Sequence, residues 1–546
     1  MSLGSRLLAR LARLPTARSR RVGVELDLAV PAWDGVVLLA DRYYPIGEEA
    51  VPVVLVRTPY GRRSFAIFGR VFAERGYQAL IQSVRGTFGS GGRFDAFRDE
   101  EADGRATLEW LLRQPWFGGR VGTYGPSYLG FVQWAMAGAT PGRPDALAIQ
   151  VAASNRRSPL YPGESFALDF ALTWIHTLAV QERPTWRVVW EGLRRRRTLR
   201  PAFLHLPLCE VDRLAVGRRV GFFQDWLEHT SPEDPFWARI DHGRRVGAVD
   251  GPVCLVGGFY DYFLPALLED YRALRAAGRR PQLTLGPWAH ADLGPVLTGL
   301  GESLAWFDAH LRGDASRLRP SPVRVFMMGS RRFIDLPDWP PPANTVRYHL
   351  HPDRALRRDP SVASPPDRYD YDPARPTPSV GGAVIGRHAG PKDNRRLESR
   401  ADVLTYTSPP LEEDLEVIGE VTAELHVRSS LGYTDFFARL CDVAPGGRST
   451  NLCDGLVRLW PGRLPLDPGG VCRVDVALGA TACCFRKGHR LRLQVSSGAH
   501  PRFARNLGGG EPLATATTMK VARQEVFHDP EHPSALVLPV YAGRPK

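Results

Sequence analysis

Short apolar strand-like runs, each followed by a segment of helical length, restrict this chain more than any other feature. Residues 53–56, just after Pro52, form an unbroken aliphatic run, and residues 78–84 hold an Ala-Leu-Ile block. Such runs belong to strands buried on both faces, which requires layers of helices on either side of a parallel sheet. Residues 65–75 and 99–113 supply segments of helical length, the second with Glu100, Glu101 and Asp103 in its first turn, where acids oppose the helix dipole. Residues 121–124 and 147–152 continue the alternation, and residues 22–30 and 36–43 around Asp34-Gly35 read as a hairpin ahead of it. The expectation is an α/β body with a mainly parallel sheet.

The alternation lapses between residues 155 and 246, a stretch rich in Leu, Trp, Arg and Phe with helical spacing at 166–180. That reads as a helical insertion, the body comprising residues 22–154 and 247–337. Strand signals return at 253–256, 282–285 and 323–328, with helical stretches at 264–277 and 304–311. Residues 338–391, with Pro340, Pro341, Pro342, Pro365 and Pro366 among many prolines and glycines, read as a surface-hugging connection. Residues 392–546 carry short β-rich runs between turn residues, the pattern of an all-β jelly-roll sandwich.

With 546 residues, 43% of them hydrophobic and 24% charged, the chain can bury large cores in several domains. Seven cysteines with no C-x-x-C pair suit neither a disulfide scaffold nor a zinc site, so a cytoplasmic protein is expected. No apolar run reaches about 18 residues, so no membrane span is expected. The net charge of +13 comes almost wholly from arginine, since only four lysines are present, and reads as a compositional habit. The cluster Arg194 to Arg197 with Arg200 lacks interleaved aromatics and reads as a solvated helix face, so no nucleic-acid partner is expected. Residues 1–21 hold six arginines and no acid; arginines interrupt every apolar stretch that a secretory signal would need. They read as a frayed or loosely docked arm.

The chemistry concentrates around Val121-Gly-Thr-Tyr-Gly-Pro-Ser-Tyr-Leu-Gly130. A serine among glycines, after a β run and before a helical one, fits a nucleophile elbow, with Gly125 and Gly130 giving the turn room. The usual pattern has glycine two residues after the serine, where this chain has Leu129. A serine hydroxyl needs a base and a carboxylate to orient that base. Asp261 and His290 each follow a predicted strand, in the order nucleophile, acid, histidine of α/β-hydrolases.

Gly125-Pro-Ser-Tyr-Leu-Gly130, Gly258-Phe-Tyr-Asp261 and Gly286-Pro-Trp-Ala-His290 resemble signatures of the CocE/NonD hydrolases. That group holds cocaine esterase, α-amino acid ester hydrolases, glutaryl acylases and X-Pro dipeptidyl-peptidases. The resemblance extends to Arg57-Thr-Pro-Tyr60, Gln82-Ser-Val-Arg-Gly86 and the region Gly488 to Asn506. It implies an α/β-hydrolase body, an inserted helical cap and a C-terminal jelly roll. It also implies catalysis by Ser127, Asp261 and His290, with an oxyanion hole made of the Tyr60 hydroxyl and the Tyr128 amide. No metal or organic cofactor is called for.

Two departures from the pattern, Ser83 and Phe259, fall on non-catalytic positions. No acidic cluster of the kind that holds a substrate ammonium aligns here: Glu164, Asp169, Glu182 and Glu191 read as solvated helix acids. Phe166, Phe170 and Trp174 in the insertion, with Phe259 and Trp288, are the expected walls of the acyl pocket. His349 and His351 lack a third ligand and read as structural. The reading is a serine hydrolase cleaving a small ester or amide through an acyl-enzyme. Acyl transfer, an aminopeptidase-type activity and a non-catalytic binding protein are the alternatives, and homo-oligomerisation stays open.

Overall fold

The computed structural model describes residues 3–48, 50–138 and 143–543. Ten strands form one sheet: β1 (Val22–Pro31), β2 (Val37–Pro45), β3 (Val53–Thr58), β4 (Gln78–Ser83), β5 (Val121–Pro126), β6 (Ala146–Gln150), β7 (Val253–Tyr260), β8 (Gln282–Ala289), β9 (Val323–Met327) and β10 (Arg332–Leu336). Their order is β1-β2-β4-β3-β5-β6-β7-β8-β9-β10. From β4 to β9 the pairs are parallel, and the hairpins β1–β2 and β9–β10 close the edges. Every residue of β3, β4, β6 and β7 is buried.

Alternate residues of one strand feed different cores. Val53 and Leu55 pack with Leu108, Leu111 and Met136, whereas Val54 and Val56 join Val71, Phe72 and Phe307. Helices on both faces are therefore obligatory, as the unbroken apolar run at 53–56 required. The chain moves from β3 to β4, then returns past β3 to β5, so the winding reverses between β3 and β5. A crevice opens at the carboxyl ends of the strands at such a reversal. Tyr60 follows β3 there, and Ser127 follows β5.

The insertion between β6 and β7 is helical, with long helices at Leu168–Val180 and Thr185–Leu204. Its Phe166, Trp174, Phe223 and Trp226 share a core with Tyr128 and Phe131 of the body, so the cap is packed onto the sheet ends.

Two expectations need correction. The basic arm is docked: residues Leu3–Leu11 form a helix whose Ser5 hydroxyl donates to Glu74 Oε1 at 2.8 Å, and Leu8 and Leu14 pack on the body. Arg18 and Ser19 amides also donate to the Glu74 carbonyl, at 2.7 and 3.1 Å. The segment 338–391 is also more than a connection, because strands Ala343–Leu350, Leu356–Arg357 and Asp367–Tyr371 belong to the C-terminal sandwich. The prolines sit outside these strands, while Tyr348, Leu350, Tyr369 and Tyr371 alternate inward. Proline content hid the period-two pattern.

The sandwich joins those three strands with Leu415–Ser429, Cys472–Phe485, Ala522–Phe527 and Ala535–Tyr541 in a seven-stranded sheet. Leu404–Thr407, Thr434–Val443, Ser449–Leu459 and Arg490–Ser496 make the four-stranded one. All seven cysteines are unpaired thiols. Among the described residues, no helix is long and apolar enough to cross a membrane.

One continuous apolar core ties body to sandwich, running from Leu255, Leu283 and Met327 to Val417, Cys483 and Phe485. Backbone bonds reinforce it, since Met328 N donates to Ala482 O and Cys484 N donates to Met328 O, each at 2.8 Å. Gly329 fits this junction with φ of 79°, and a Cβ there would lie 2.0 Å from Cys484 O. Gly329→Ala is therefore expected to destabilise the protein by at least about 2 kcal/mol, through left-handed backbone strain plus forced separation of two main chains. A lowered urea midpoint measures it, and an unchanged midpoint would refute the tight junction.

Candidate active site

The turn after β5 holds Ser127 at φ 59° and ψ −121°, a conformation that a non-glycine residue adopts only under strain. Its surroundings enforce it. Ser127 N donates to Gln150 O at 2.9 Å, and Ser127 O accepts from Gly130 N and Phe131 N at 2.9 and 3.1 Å. A Cβ on Gly125 would meet Leu129 Cβ at 2.3 Å, and one on Gly130 would meet Ala152 Cβ at 2.4 Å. Strand and helix thus approach closely only because both positions lack side chains. Leu129, in the place where glycine is usual, is tolerated because Gly125 and Gly130 flank it.

Asp261 and His290 come from the turns after β7 and β8. His290 Nε2 lies 2.9 Å from Ser127 Oγ, and His290 Nδ1 lies 2.8 Å from Asp261 Oδ2. The other oxygen of Asp261 accepts the Phe263 amide at 2.6 Å, and the carboxylate is buried. With its proton on Nδ1, held by Asp261, the imidazole turns a lone pair towards the serine hydroxyl. Rings of Tyr262 and Phe263, centred 4.6 and 5.3 Å from the imidazole, wall it in.

Tyr60 is positioned from both sides. Its amide donates to Thr58 Oγ1 at 3.0 Å, and its hydroxyl accepts the Trp174 indole N–H at 3.0 Å. Burial pushes the phenol pKa up, against smaller opposing effects of the Trp174 bond, the Arg156 charge and a bond with the Ser127 side chain. It therefore remains a proton donor at neutral pH, next to the serine. The Tyr128 amide opens the helix Tyr128–Ala137, where no intrahelical carbonyl can reach it. The Tyr128 ring is anchored elsewhere: its hydroxyl donates to Glu100 Oε1 at 2.6 Å, and Glu100 pairs with Arg57 at 2.9 Å.

These groups border a cavity of about 200 Å³ that contains Ser127 and His290 in its wall. Of the five aromatic residues proposed as pocket walls, Phe170 and Trp174 line it, while Phe166, Phe259 and Trp288 do not. Phe166 packs against Tyr161 and Phe223 in the cap core. Phe259 borders a separate cavity of about 390 Å³ between body and sandwich. The Trp288 ring lies over Gly286 and Gly294, whose missing side chains accommodate it. Sequence reasoning chose these three for size and proximity to a motif, which do not reveal which side a ring takes.

It missed Phe97, Arg156, Thr177, Arg195, Tyr262, Phe263 and Ile385. Tyr262 and Phe263 directly follow Asp261, a signal that could have flagged them; Ile385 reaches the cavity from a distant loop and left none. The acids read as solvated are instead mostly engaged. Glu164 pairs with Arg157, and Glu182 Oε1 accepts the Phe88 amide at 3.1 Å. Asp169 accepts the Ile385 amide at 3.3 Å, and burial pushes its pKa up to about 6.

Residues 34–292 match the family model described as X-Pro dipeptidyl-peptidase (S15 family), and residues 318–537 match its C-terminal non-catalytic domain. Cocaine esterase of Rhodococcus sp. (strain MB1 Bresler) is 34% identical, over 95% of this chain and 98% of the relative. Two solved structures share the fold. An aminopeptidase from a marine sediment Thaumarchaeota archaeon superimposes with a TM-score of 0.80 at 21% identity, over 96% of both chains. An α-amino acid ester hydrolase gives 0.77 at 22%, over 96% of this chain and 98% of that one. An α/β-hydrolase body with a strained serine at its switch point, a β-sandwich behind it and a relative this similar along nearly the whole chain lead to one conclusion: the protein is a serine hydrolase of the CocE/NonD group, within the X-Pro dipeptidyl-peptidase (S15) family.

Proposed function

We propose that this enzyme cleaves a small ester or amide by way of an acyl-enzyme on Ser127, with His290 as general base and acid and Asp261 as its orienting carboxylate. The observation carrying this reading is the unbroken chain of contacts Ser127–His290–Asp261, at 2.9 and 2.8 Å. As Ser127 Oγ attacks the carbonyl carbon, its proton passes to His290 Nε2. The carbonyl oxygen takes up negative charge, stabilised by the Tyr60 hydroxyl and the Tyr128 amide. Asp261 stabilises the imidazolium, which then protonates the leaving oxygen or nitrogen. Water repeats the sequence on the acyl-enzyme ester, giving its proton to His290, and releases the acid.

The relative named for its esterase activity supports an ester as substrate. An amine-recognising site gains no support, because the cavity lining contains no carboxylate. We also assign the reaction to the cytoplasm, where the seven unpaired thiols would stay reduced.

A fluorophosphonate probe is expected to label the wild-type enzyme and to leave Ser127→Ala unlabelled; labelling that survives the substitution would sink the assignment. Asp261→Asn should lower kcat by about four orders of magnitude, because the amide favours the wrong imidazole tautomer. Tyr60→Phe should lower kcat by about 10² to 10³, the effect of losing one oxyanion donor. Trp174→Phe keeps an aromatic wall but removes the N–H that fixes Tyr60. It should cost about tenfold in kcat, in line with one neutral hydrogen bond. Kinetics on 4-nitrophenyl esters report all three, and a Tyr60→Phe enzyme with wild-type kcat would exclude Tyr60 from the oxyanion hole.

A further inference from the structure

The cap helix Thr185–Leu204 carries an apolar arc that the fold does not use. Its packed side holds Leu199, Ala202 and Phe203, which are buried, and Arg195, which lines the catalytic cavity. Trp186, Val189, Trp190 and Leu193 recur at the spacing of one helix face and fall on an arc about 100° wide, opposite that packed side. Each is between 52 and 77% exposed. Single exposed apolar side chains are ordinary, but four on one arc, two of them indoles, mark a contact surface.

Charge indicates what covers it. Residues 182–200 contain seven arginines and two acids, and both acids are engaged. Glu182 Oε1 accepts the Phe88 amide at 3.1 Å, and Glu191 lies 3.8 Å from both His176 and Arg183. Of the seven arginines, Arg183 alone comes within ion-pair distance of a carboxylate among the described residues. Arg187 and Arg194 rest on the tryptophans, their guanidinium carbons 5.1 and 4.8 Å from the ring centres of Trp186 and Trp190. Arg197 and Arg200 extend the same arc towards the end of the helix. Beside the helix start, a hollow of about 600 Å³ presents Arg93, Arg218 and Arg219, while the Asp95 and Asp225 carboxylates in its wall pair with Arg98. A second copy of this face would set arginines against arginines, with no unengaged acid on the stretch to offset them. Indoles rimmed by guanidiniums fit a surface that is apolar beneath and anionic on top.

We propose that the outer face of this helix docks on a bilayer rich in anionic phospholipid. Trp186, Trp190 and Leu193 enter the boundary between headgroups and acyl chains, and Arg187, Arg194 and Arg197 meet lipid phosphates. The helix, about 10 Å across, stands between that lipid and the catalytic cavity, which Arg195 reaches from its other side. The contact is therefore independent of the acyl-enzyme reading and survives its failure.

The test is cosedimentation of the full chain with vesicles of equal parts phosphatidylglycerol and phosphatidylcholine, compared with vesicles of phosphatidylcholine alone. At about 0.1 M salt the wild-type protein should bind the anionic vesicles at least about tenfold more tightly, and most of that binding should vanish at about 1 M, where charges are screened within about 3 Å. Replacing Trp186 and Trp190 together by serine should weaken binding at least about tenfold, through loss of buried apolar area. Arg187→Gln, Arg194→Gln and Arg197→Gln combined should weaken it about 10²-fold, about fivefold for each arginine. Both variants change exposed side chains, so their urea midpoints should match that of the wild type, and the lipid and salt comparisons need no variant. Absence of binding to either vesicle, equal binding to both, or binding unmoved by both variants would overturn the proposal. So would a dimer in solution that the tryptophan variant dissociates, which would assign the face to a second copy, or tryptophan-dependent binding to DNA in place of vesicles.

Discussion

The close approach of strand β5 to the helix that follows it is the contact on which the site depends. Ser127 can hold its strained backbone only because Gly125 and Gly130 let Leu129 and Ala152 come within distances that a Cβ would forbid. Strain of this kind amounts to about 1–3 kcal/mol and persists only where the surroundings over-determine it. Here the surroundings are a sheet buried on both faces and a helix wedged against it. The same turn sets the direction of the serine hydroxyl and presents the Tyr128 amide at a helix start, so nucleophile and oxyanion donor are fixed by one piece of backbone.

Around that turn, each reactive group is steadied by a second layer. Asp261 is tied to the Phe263 amide, Tyr60 to Trp174 and Thr58, and the Tyr128 ring to Glu100 and through it to Arg57. Such bonding matters because a catalytic group displaced by an ångström loses much of its effect. It also assigns work to the family motif Arg57-Thr-Pro-Tyr60. Arg57 anchors Glu100, Thr58 caps the Tyr60 amide, and Tyr60 faces the serine.

The sandwich is integral to this arrangement. Its core is continuous with that beneath β9 and beneath β7 and β8, the two strands that deliver Asp261 and His290, and Tyr260 next to Asp261 donates its hydroxyl to Asn451 O at 3.1 Å. The cap contributes Phe170, Trp174 and Arg195 to the cavity wall, and the body contributes Phe97, Tyr262 and Phe263. A lining with two guanidiniums and no carboxylate has an electrostatic character opposite to that of a site built for a substrate ammonium.

The amino-acid order alone fixed the features that depend on local spacing. Unbroken aliphatic runs demanded a two-sided α/β sheet, a Gly-x-Ser turn between strand and helix demanded an elbow, and Asp261 and His290 were legible because each ends a strand. What spacing could not carry was assembled through space. The strands Ala343–Leu350 and Asp367–Tyr371 were hidden because their partners, Ala535–Tyr541 and Ala522–Phe527, lie far along the chain, and the arm docks through Ser5 on Glu74, whose proximity no pattern encodes. Phe166, Phe259 and Trp288 look as suitable for a pocket as Phe170 and Trp174, since only packing decides which side each ring takes. Arg156 drew no notice among the chain's many arginines. Its lack of an ion-pair partner among the described residues exists only once the fold has buried it among rings from four separate stretches, at Phe97, Phe131, Phe170 and Phe263, because pairing is a property of distance in space and not of order along the chain.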